Sequence, residues 1–403
     1  MAEPLVIVGQ GMAATKLVEE LTAHALGRYS IIVIGAEPRR AYNRVLLSSM
    51  LAGEMAAGDL ELKNADWWRA HGVTNVFGRA ATAIDRAGKC VTLADGARIP
   101  YSKLVLATGS DPIMLPKPGM DLPGVISFRT MDDADLLLDF GRARRRAVVI
   151  GGGLLGLEAA YGLAQAGARV TLVHLMDRLM ERQLDTPAAA LLKEQVAAKG
   201  VEVLLGADTA RVIGAERAEG IELVDGRIIA ADLVVCAIGV KPRVDLAKAA
   251  GLDVKRGVVV DDAMATSDEA IFALGECAEH RGMVYGLVAP AYEQARVLAR
   301  RLSGDAGAAY EGTVLSTNLK VSGVSLFSAG DFNGGPSSEA VVYEDFRAGI
   351  YKKLVIENDA LKGAVLFGDT GDGLWYLDLM RSGAHLGAMR PMIAFGRNAA
   401  SPA

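Results

Sequence analysis

The chain has 403 residues, of which 51% are hydrophobic and 23% charged, and its 43 basic and 48 acidic residues give a net charge of −5. This length predicts two or three domains. The weak negative charge gives no reason to expect a nucleic-acid partner, and no apolar run reaches the roughly 18 residues of a membrane span. The chain enters a strand within four residues, so we expect no secretory signal, no membrane partner and a cytoplasmic location.

The first predicted strand leads into the sequence Gly9-Gln10-Gly11-Met12-Ala13-Ala14, which opens a helix predicted over residues 12–25. This pattern is typical of dinucleotide-binding folds. Gly9 allows the turn, Gly11 lets a pyrophosphate approach the backbone, and Ala14 lets helix and strand pack closely. The next strand, over residues 31–34, is followed by Glu37, an acid placed to bind both hydroxyls of an adenosine ribose.

The sequence that follows predicts a strand-turn-strand segment around residues 91–99. It then predicts a buried strand over residues 101–109 that ends in Ala107-Thr108-Gly109. Four prolines between residues 112 and 123 indicate a linker and a domain boundary.

A second fingerprint, from Gly151 through Gly153, Leu154 and Leu155 to Gly156, follows a strand predicted over residues 147–150. It opens a helix over 154–166. We expect further elements at strand 169–173, helix 187–199, strand 201–205 and strand 233–238, the last ending at Gly239. Two such fingerprints in one chain predict two nucleotides bound side by side, as an enzyme that passes electrons between a nicotinamide and a flavin requires.

The last part of the chain contains a buried strand over residues 271–276 with an acid at its end, and a helix predicted from Pro290 to about Leu302. From Gly312 onward alternating strands, such as 317–321 and 350–356, indicate a third domain. The predicted fold is therefore α/β, with two Rossmann-like nucleotide-binding domains and a C-terminal mixed α/β domain. The predicted boundaries are 1–115 with 246–311 for FAD, 116–245 for NAD(P)H, and 312–403 for the C-terminal domain.

The cysteines Cys90, Cys236 and Cys277 have no C-x-x-C spacing, which argues against a sequence-local redox dithiol. The five histidines are scattered and none pairs with a cysteine at metal-ligand spacing, so we predict no metal site.

These motifs, in this order, resemble class I FAD-dependent pyridine-nucleotide oxidoreductases over the whole chain. Within that class the sequence is similar to rubredoxin and ferredoxin reductases and to the flavin module of NADH-dependent nitrite reductase large subunits. Residues 42–48, 173–176, 180–185 and 319–323 carry the second likeness. Two positions depart from the family pattern: Glu276 replaces the usual aspartate, and His174 stands where NADH-selective folds often have an acid.

The resemblance implies two sets of cofactor-binding residues. For FAD they are Gly9, Gly11, Met12, Ala14, Glu37, Arg44, Ser48, Ala81, Thr108, Gly109, Gly275, Glu276, Val288 and Lys320. For NAD(P)H they are Gly151, Gly153, Leu154, Leu155, Gly156, His174, Arg178 and Gly239. Glu158 is similar to a family glutamate that lies between nicotinamide and flavin. The alternatives are a solvated loop arginine for Arg44, an exposed lysine for Lys320, and for Glu158 an acid that stabilises the first turn of its helix.

The resemblance thus implies an FAD-dependent NAD(P)H oxidoreductase that uses FAD and NADH, with NADPH left open by the basic residues His174 and Arg178. Its expected partner is a ferredoxin- or rubredoxin-like carrier or a nitrate or nitrite reductase subunit, and a homodimer is possible. The chain has no cysteine-rich iron–sulfur or sirohaem segment, so we expect that it does not itself reduce nitrite. Alternatives are a carrier reductase of another pathway, an NADH oxidase, a thiol-dependent enzyme of the same fold, and a flavin-binding sensor or structural subunit.

Overall fold

The computed structural model describes residues 2–25, 27–321, 324–345 and 347–400, without the side chains of residues 319–321. The first elements are β1 (Glu3–Val8), α1 (Met12–His24), β2 (Tyr29–Ile34), α2 (Leu47–Leu51), α3 (Ala65–Ala70), β3 (Thr74–Val76), β4 (Ala81–Asp85), β5 (Cys90–Leu93), β6 (Arg98–Pro100), β7 (Lys103–Leu106) and β8 (Ser110–Pro112). The middle elements are β9 (Val125–Ser127), α4 (Met131–Arg142), β10 (Arg146–Ile150), α5 (Leu154–Gln165), β11 (Arg169–Val173), α6 (Thr186–Ala198), β12 (Val201–Leu204), β13 (Thr209–Ile213), β14 (Gly220–Leu223), β15 (Ile228–Ala230), β16 (Leu233–Cys236), β17 (Val240–Pro242) and α7 (Asp245–Ala249). The last elements are β18 (Val258–Val260), β19 (Ile271–Ala273), β20 (Ala278–His280), β21 (Met283–Val284), α8 (Val288–Leu302), β22 (Ser316–Val321), β23 (Val324–Gly330), β24 (Glu339–Asp345), β25 (Ile350–Glu357), β26 (Ala360–Phe367), α9 (Gly373–Ser382) and α10 (Arg397–Ala400).

The chain divides into two units, and unit 1 consists of residues 1–46, 56–111 and 240–313. Its main sheet has the strand order β19-β7-β1-β2-β3, and all its neighbouring strands are parallel. Leu5, Leu17, Leu104 and Leu298 belong to one buried cluster that joins this sheet to α1 and α8. Because strands buried on both faces are almost continuously apolar, the short runs of Val, Ile and Leu in the sequence become the centre of this unit.

Unit 2 consists of residues 47–55, 112–239 and 314–403. It contains a second parallel sheet with the order β12-β11-β10-β16-β9, and an antiparallel sheet with the order β22-β23-β26-β25-β24. α9 packs on the antiparallel sheet through Tyr376 and Leu377. The Tyr351 hydroxyl, on β25, donates a hydrogen bond of 2.5 Å to Asp185, whose carboxylate also caps α6.

Most predicted elements are found within one or two residues of their expected ends, and the strand over residues 169–173 has the predicted bounds. The helix predicted from Pro290 begins earlier, at Val288. A proline is tolerated in the first turn because a backbone N–H there would have no acceptor within the helix, so its absence costs no hydrogen bond. Residues 112–123 were expected as a linker, and no element was predicted between residue 123 and the strand at residue 147, where the structure has β9 and the capped helix α4. The α/β fold class is confirmed, whereas the exact domain boundaries remain a prediction.

None of the helices among the described residues is long and apolar enough to cross a bilayer.

Candidate nucleotide-binding sites

One edge of the unit 1 sheet gathers most of the residues predicted to bind FAD. β1, β7 and β19 are parallel neighbours, so the residues that follow their carboxyl ends lie together. These are Gly9, Thr108 with Gly109, and Gly275 with Glu276. A Cβ atom on Gly275 would lie 3.0 Å from the Cβ of Ala13, which places Gly275 against the first turn of α1. Ligands of open α/β sheets bind at this kind of edge.

The glycines of the first fingerprint divide into one that is packed and one that is open. Gly9 has a φ of +122°, and a Cβ there would lie 2.0 Å from the carbonyl oxygen of Ala107. Gly11 is the N-cap of α1, and an added Cβ would meet nothing within 4 Å. The helix has no side-chain cap at Gly11 and no acid in its first turn. The α1 N-terminus therefore fits a pyrophosphate, which would receive hydrogen bonds from the first N–H groups of the helix.

Gln10 positions the segment that carries Glu37. Its Nε2 donates to the carbonyl oxygens of Glu37 and Arg39 at 3.1 and 2.6 Å. The side chain lies over Gly35, where a Cβ would overlap it. The Glu37 carboxylate accepts a 2.8 Å hydrogen bond from the Tyr42 hydroxyl and is paired with Arg44. Arg44 is thus held on Glu37, which does not match the solvated-loop alternative.

Several side chains of the same edge are also fixed by hydrogen bonds. Glu276 accepts a 2.7 Å bond from the Ser110 hydroxyl. The Thr108 hydroxyl donates to the carbonyl oxygen of Arg243 at 2.7 Å, so it joins two loops. The Gly275 N–H donates to the buried amide of Gln294 at 2.8 Å.

The remaining predicted FAD residues of unit 1 lie at element starts or at their buried faces. Met12 opens α1, Ala14 is buried in that helix, Ala81 opens β4 and Val288 opens α8.

Near the ends of β2 and β3, three buried polar atoms have no hydrogen-bond partner among the described residues: Gln10 Oε1, Asn75 Oδ1 and Arg79 Nε. Because buried polar atoms are normally paired, these atoms suit a polar ligand such as the adenosine end of FAD.

In unit 2 the second fingerprint has the same division. Gly151 has a φ of +121°, and its Cβ would lie 2.3 Å from the carbonyl oxygen of Ala237. Gly153 caps α5 without a side-chain bond, no acid stands in the first turn, and an added Cβ meets nothing within 4 Å. At Gly156 a Cβ would lie 1.9 Å from the Gly151 oxygen. Leu154 and Leu155 open α5, and Gly239, with a φ of +122°, follows the neighbouring strand β16.

His174 is held on both of its ring nitrogens. Its Nδ1 accepts the Gly152 N–H at 3.0 Å, and its Nε2 lies 3.0 Å from Glu181 Oε2. A backbone N–H can only donate, so Nδ1 carries no proton and Nε2–H donates to the carboxylate. Arg178 contacts Asp177 at 3.2 Å, and its Nε is buried without a partner among the described residues.

Glu158 is buried in α5 rather than exposed in the first turn. It faces α2, whose Ser48 is its hydrogen-bond partner. Burial raises the pKa of Glu158 to about 8, against the opposing effect of the Ser48 hydrogen bond. The carboxyl is therefore neutral at pH 7, which does not fit an acid that stabilises the helix dipole.

Two predicted FAD residues fall in unit 2. Ser48 is buried on α2 beside Glu158. Lys320 belongs to β22, and its side chain lies outside the described residues.

The cysteines Cys90, Cys236 and Cys277 are all buried. Burial raises the pKa of the Cys236 and Cys277 thiols. Cys277 donates to the carbonyl oxygens of Leu106 and Leu274. No cluster of His, Cys, Asp or Glu suited to a metal is found in the part of the chain that the structure describes.

Sequence reasoning missed Gln10, Ser110, Gln294 and Glu181 as members of these sites. Gln10 occupies a variable position of its fingerprint, and the other three act across sequence separations of 7 to 166 residues. A signal existed only for Glu181, which lies in a segment that contributed to the family resemblance.

Comparison with known proteins identifies the family of this chain. Residues 3–295 match the family model "Pyridine nucleotide-disulphide oxidoreductase", and residues 316–384 match "Rubredoxin NAD+ reductase C-terminal domain". The chain belongs to the pyridine nucleotide-disulphide oxidoreductase family. It is an FAD-dependent NAD(P)H oxidoreductase, so the predicted class and cofactors are confirmed.

Individual relatives show which members of the family this chain is similar to. The chain is 46% identical over 370 residues to "Nitrite reductase [NAD(P)H]" of Bacillus subtilis (strain 168), covering 92% of this chain and 46% of that protein. It is 42% identical to the "Assimilatory nitrate reductase electron transfer subunit" of the same organism, covering 93% and 48%. The chain therefore spans about half the length of these curated relatives. Among solved structures, the covalent putidaredoxin reductase–putidaredoxin complex matches with a TM-score of 0.87 and 28% identity, covering 96% and 94%.

Proposed function

We propose that this chain accepts electrons from NADH at unit 2 and delivers them through FAD to a separate redox protein in nitrite or nitrate reduction. The observation that carries the proposal is the pair of sheet edges, each with an uncapped, glycine-lined helix N-terminus. Each of these fits one dinucleotide pyrophosphate. FAD supplies the chemistry, because it takes a two-electron hydride and releases electrons singly.

The residues of the chain bind and orient rather than react. Under this proposal Gly9, Gly11, Met12 and Ala14 form the FAD pyrophosphate cradle, and Glu37 and Glu276 hold the adenosine and ribityl ends. Gly151 to Gly156 form the corresponding cradle for the nicotinamide nucleotide. The neutral carboxyl of Glu158, buried beside Ser48, excludes water and can hold a proton at this edge of α5.

The thiols support an electron-transfer reductase over a thiol-dependent enzyme of the same fold. A reactive cysteine needs an accessible sulfur of low pKa. Cys277 is fully buried and donates to two carbonyl groups, and burial raises its pKa. Cys236 is buried in β16 and burial raises its pKa as well.

The partner is proposed from the relatives. Nitrite and nitrate reductase proteins align with over nine tenths of this chain and extend well beyond it. The C-terminal family model and the putidaredoxin complex favour a small carrier protein of the ferredoxin or rubredoxin type.

We further propose a cytoplasmic location, which the three unpaired cysteines favour. A homodimer remains a prediction.

Rapid mixing of the FAD-loaded protein with NADH tests the proposal. We expect bleaching of the flavin absorbance, followed by reduction of an added ferredoxin, rubredoxin or nitrite reductase subunit. The Gly153→Val variant is the control, since it should keep FAD and lose bleaching by NADH. An FAD-loaded wild type that neither NADH nor NADPH reduces would refute the proposal. Fast turnover on oxygen, without reduction of any carrier, would indicate an oxidase instead.

A further inference from the structure

We propose that Glu181 is the acid that recognises the adenosine ribose of the nicotinamide nucleotide and selects NADH over NADPH, with His174 as its positioning residue. This inference rests on the proposed function, because it requires a nucleotide bound at the second fingerprint.

The usual place for such an acid holds none in unit 2. In unit 1, β2 ends at Ile34, opposite Val8, and Glu37 follows three residues later. In unit 2, β11 ends at Val173, opposite Ile150; the residue directly after the strand is His174, and the counterpart of Glu37 three residues later is Met176, which is 43% exposed, so neither position carries an acid. A thioether cannot accept strong hydrogen bonds from two ribose hydroxyls. A different residue must supply the carboxylate if NADH is bound in the ordinary manner.

His174 connects the fingerprint to a carboxylate. Since its Nδ1 accepts from Gly152 N–H at 3.0 Å, its single proton is on Nε2 and is donated to Glu181 at 3.0 Å. The imidazole is therefore neutral in this arrangement and not a cation available to a 2′-phosphate. Glu181 remains one quarter exposed, so its carboxylate is fixed by His174 but is not fully enclosed.

The segment that carries Glu181 is held at both ends. The Met180 N–H donates to the Gly152 carbonyl oxygen at 3.0 Å, and Met180 itself is buried with a φ of +49°. At the other end Asp185 caps α6 and is bonded to the Tyr351 hydroxyl at 2.5 Å, with Lys353 at 3.7 Å. The carboxylate of Glu181 is thus presented by an ordered loop, which limits the entropy lost on binding.

The Glu181 carboxylate favours a nucleotide without the 2′-phosphate. Arg178, the other basic candidate, already contacts Asp177 at 3.2 Å. Glu181 can accept hydrogen bonds from a ribose diol, whereas it would repel a phosphate group. The pair His174–Glu181 therefore selects NADH, whereas in the sequence His174 and Arg178 left the choice between NADH and NADPH open.

The test measures equilibrium binding of NAD+ and NADP+ to the FAD-loaded protein by calorimetry, together with kcat/KM for NADH and NADPH. Wild type should bind NAD+ more tightly. Glu181→Gln should lower the ratio of the two affinities at least about tenfold, because one charge-assisted hydrogen-bond acceptor and one repulsive charge are lost. Glu181→Lys should lower it further and favour NADP+. Glu194→Gln, which makes the same charge change on an exposed position of α6, is the matched control and should leave the ratio unchanged.

His174→Asn separates positioning from direct contact. Asparagine keeps an acceptor for the Gly152 N–H but has a shorter side chain toward Glu181, so the ratio should fall less than in Glu181→Gln. An unchanged ratio in Glu181→Gln, or a wild type that prefers NADP+, would overturn the inference and leave the proposed function intact. A wild type that binds neither nucleotide and is reduced by neither would reject the proposed function itself.

Discussion

In both nucleotide folds of this chain, a side chain packs over a glycine to connect the fingerprint with the loop after the second strand. The positions of the large residue and the glycine are exchanged between the two units. In unit 1 the middle residue of the fingerprint, Gln10, lies over a glycine, Gly35, that follows β2. In unit 2 the middle residue is Gly152, and the side chain that covers it belongs to His174, the residue that follows β11. In both units one side chain therefore ties the fingerprint to the loop after the second strand.

The exchange changes which acid is presented. In unit 1 the Gln10 side chain bonds to backbone carbonyl groups of residues 37 and 39, and Glu37 keeps the ordinary position of the ribose-binding acid. In unit 2 the connecting side chain is the imidazole of His174, whose second ring nitrogen bonds to Glu181. A comparison of fingerprints alone would treat the two sites as equivalent, although only one has its acid at the expected place.

The largest expected effects come from the open glycines at the helix N-termini. Gly11→Val should strongly weaken FAD binding, and Gly153→Val should strongly weaken nucleotide binding while FAD is retained. Neither Cβ meets an atom within 4 Å, so both variants should fold, but the side chain would occupy the pyrophosphate cradle. We expect each cofactor affinity to fall by roughly 100-fold, since several charge-assisted hydrogen bonds are lost.

Flavin absorbance and calorimetry with NAD+ measure these losses, and an unchanged Tm of the apoprotein checks the fold. Retention of FAD by Gly11→Val would show that the α1 N-terminus does not hold the pyrophosphate. Loss of both cofactors in Gly153→Val would break the assignment of one fingerprint to each nucleotide.

A second comparison concerns the last position of each fingerprint. Ala14 is buried with its Cβ accommodated, whereas a Cβ at Gly156 would lie 1.9 Å from the Gly151 oxygen. Gly156→Ala should therefore destabilise unit 2 by about 1–3 kcal/mol through overpacking and weaken NAD+ binding, with little change in FAD content. Ala14→Gly is the matched variant in unit 1 and should be milder. Urea unfolding of both variants measures the difference, and equal effects would contradict it.

Much of the fold was predictable because local rules decide it. The strand-turn-helix at each fingerprint, the apolar strands and the Asp95-Gly96 turn were predicted from neighbouring residues, and the structure has each of them within a few positions. The contacts that complete the sites were not, because they join distant segments: Ser110 with Glu276, Ser48 with Glu158, and Gln294 with Gly275. A sequence shows that Glu158 follows a fingerprint, but only packing against α2 shows that its carboxyl is buried.

That burial gives a prediction for the pH dependence of stability. The pKa of Glu158 is raised from 4.5 to about 8 in the folded protein. The folded state therefore binds this proton more tightly than the unfolded state, and stability relative to a non-ionisable residue falls as pH rises from about 4.5 to about 8. The upper limit is about 1.4 kcal/mol per pH unit. Glu158→Gln should thus gain stability over wild type progressively across this range.

Urea unfolding of both proteins at several pH values checks the sign. The exposed substitution Glu194→Gln should show no such trend. A Glu158→Gln difference that is constant with pH, or that shrinks as pH rises, would mean that the carboxyl is ionised in the folded state.

The smallest expected effect is that of Gln10→Ala. It removes two hydrogen bonds, to the carbonyl oxygens of Glu37 and Arg39, each worth about 1 kcal/mol. The loop that presents Glu37 should become less ordered, so FAD affinity should fall several-fold while nucleotide affinity at unit 2 stays constant. FAD release, followed by the recovery of flavin fluorescence, measures the effect, and Gln195→Ala on the exposed side of α6 is the control. If Gln10→Ala retains FAD as well as wild type, the tie between fingerprint and loop does not position Glu37, and the parallel between Gln10 and His174 is structural only.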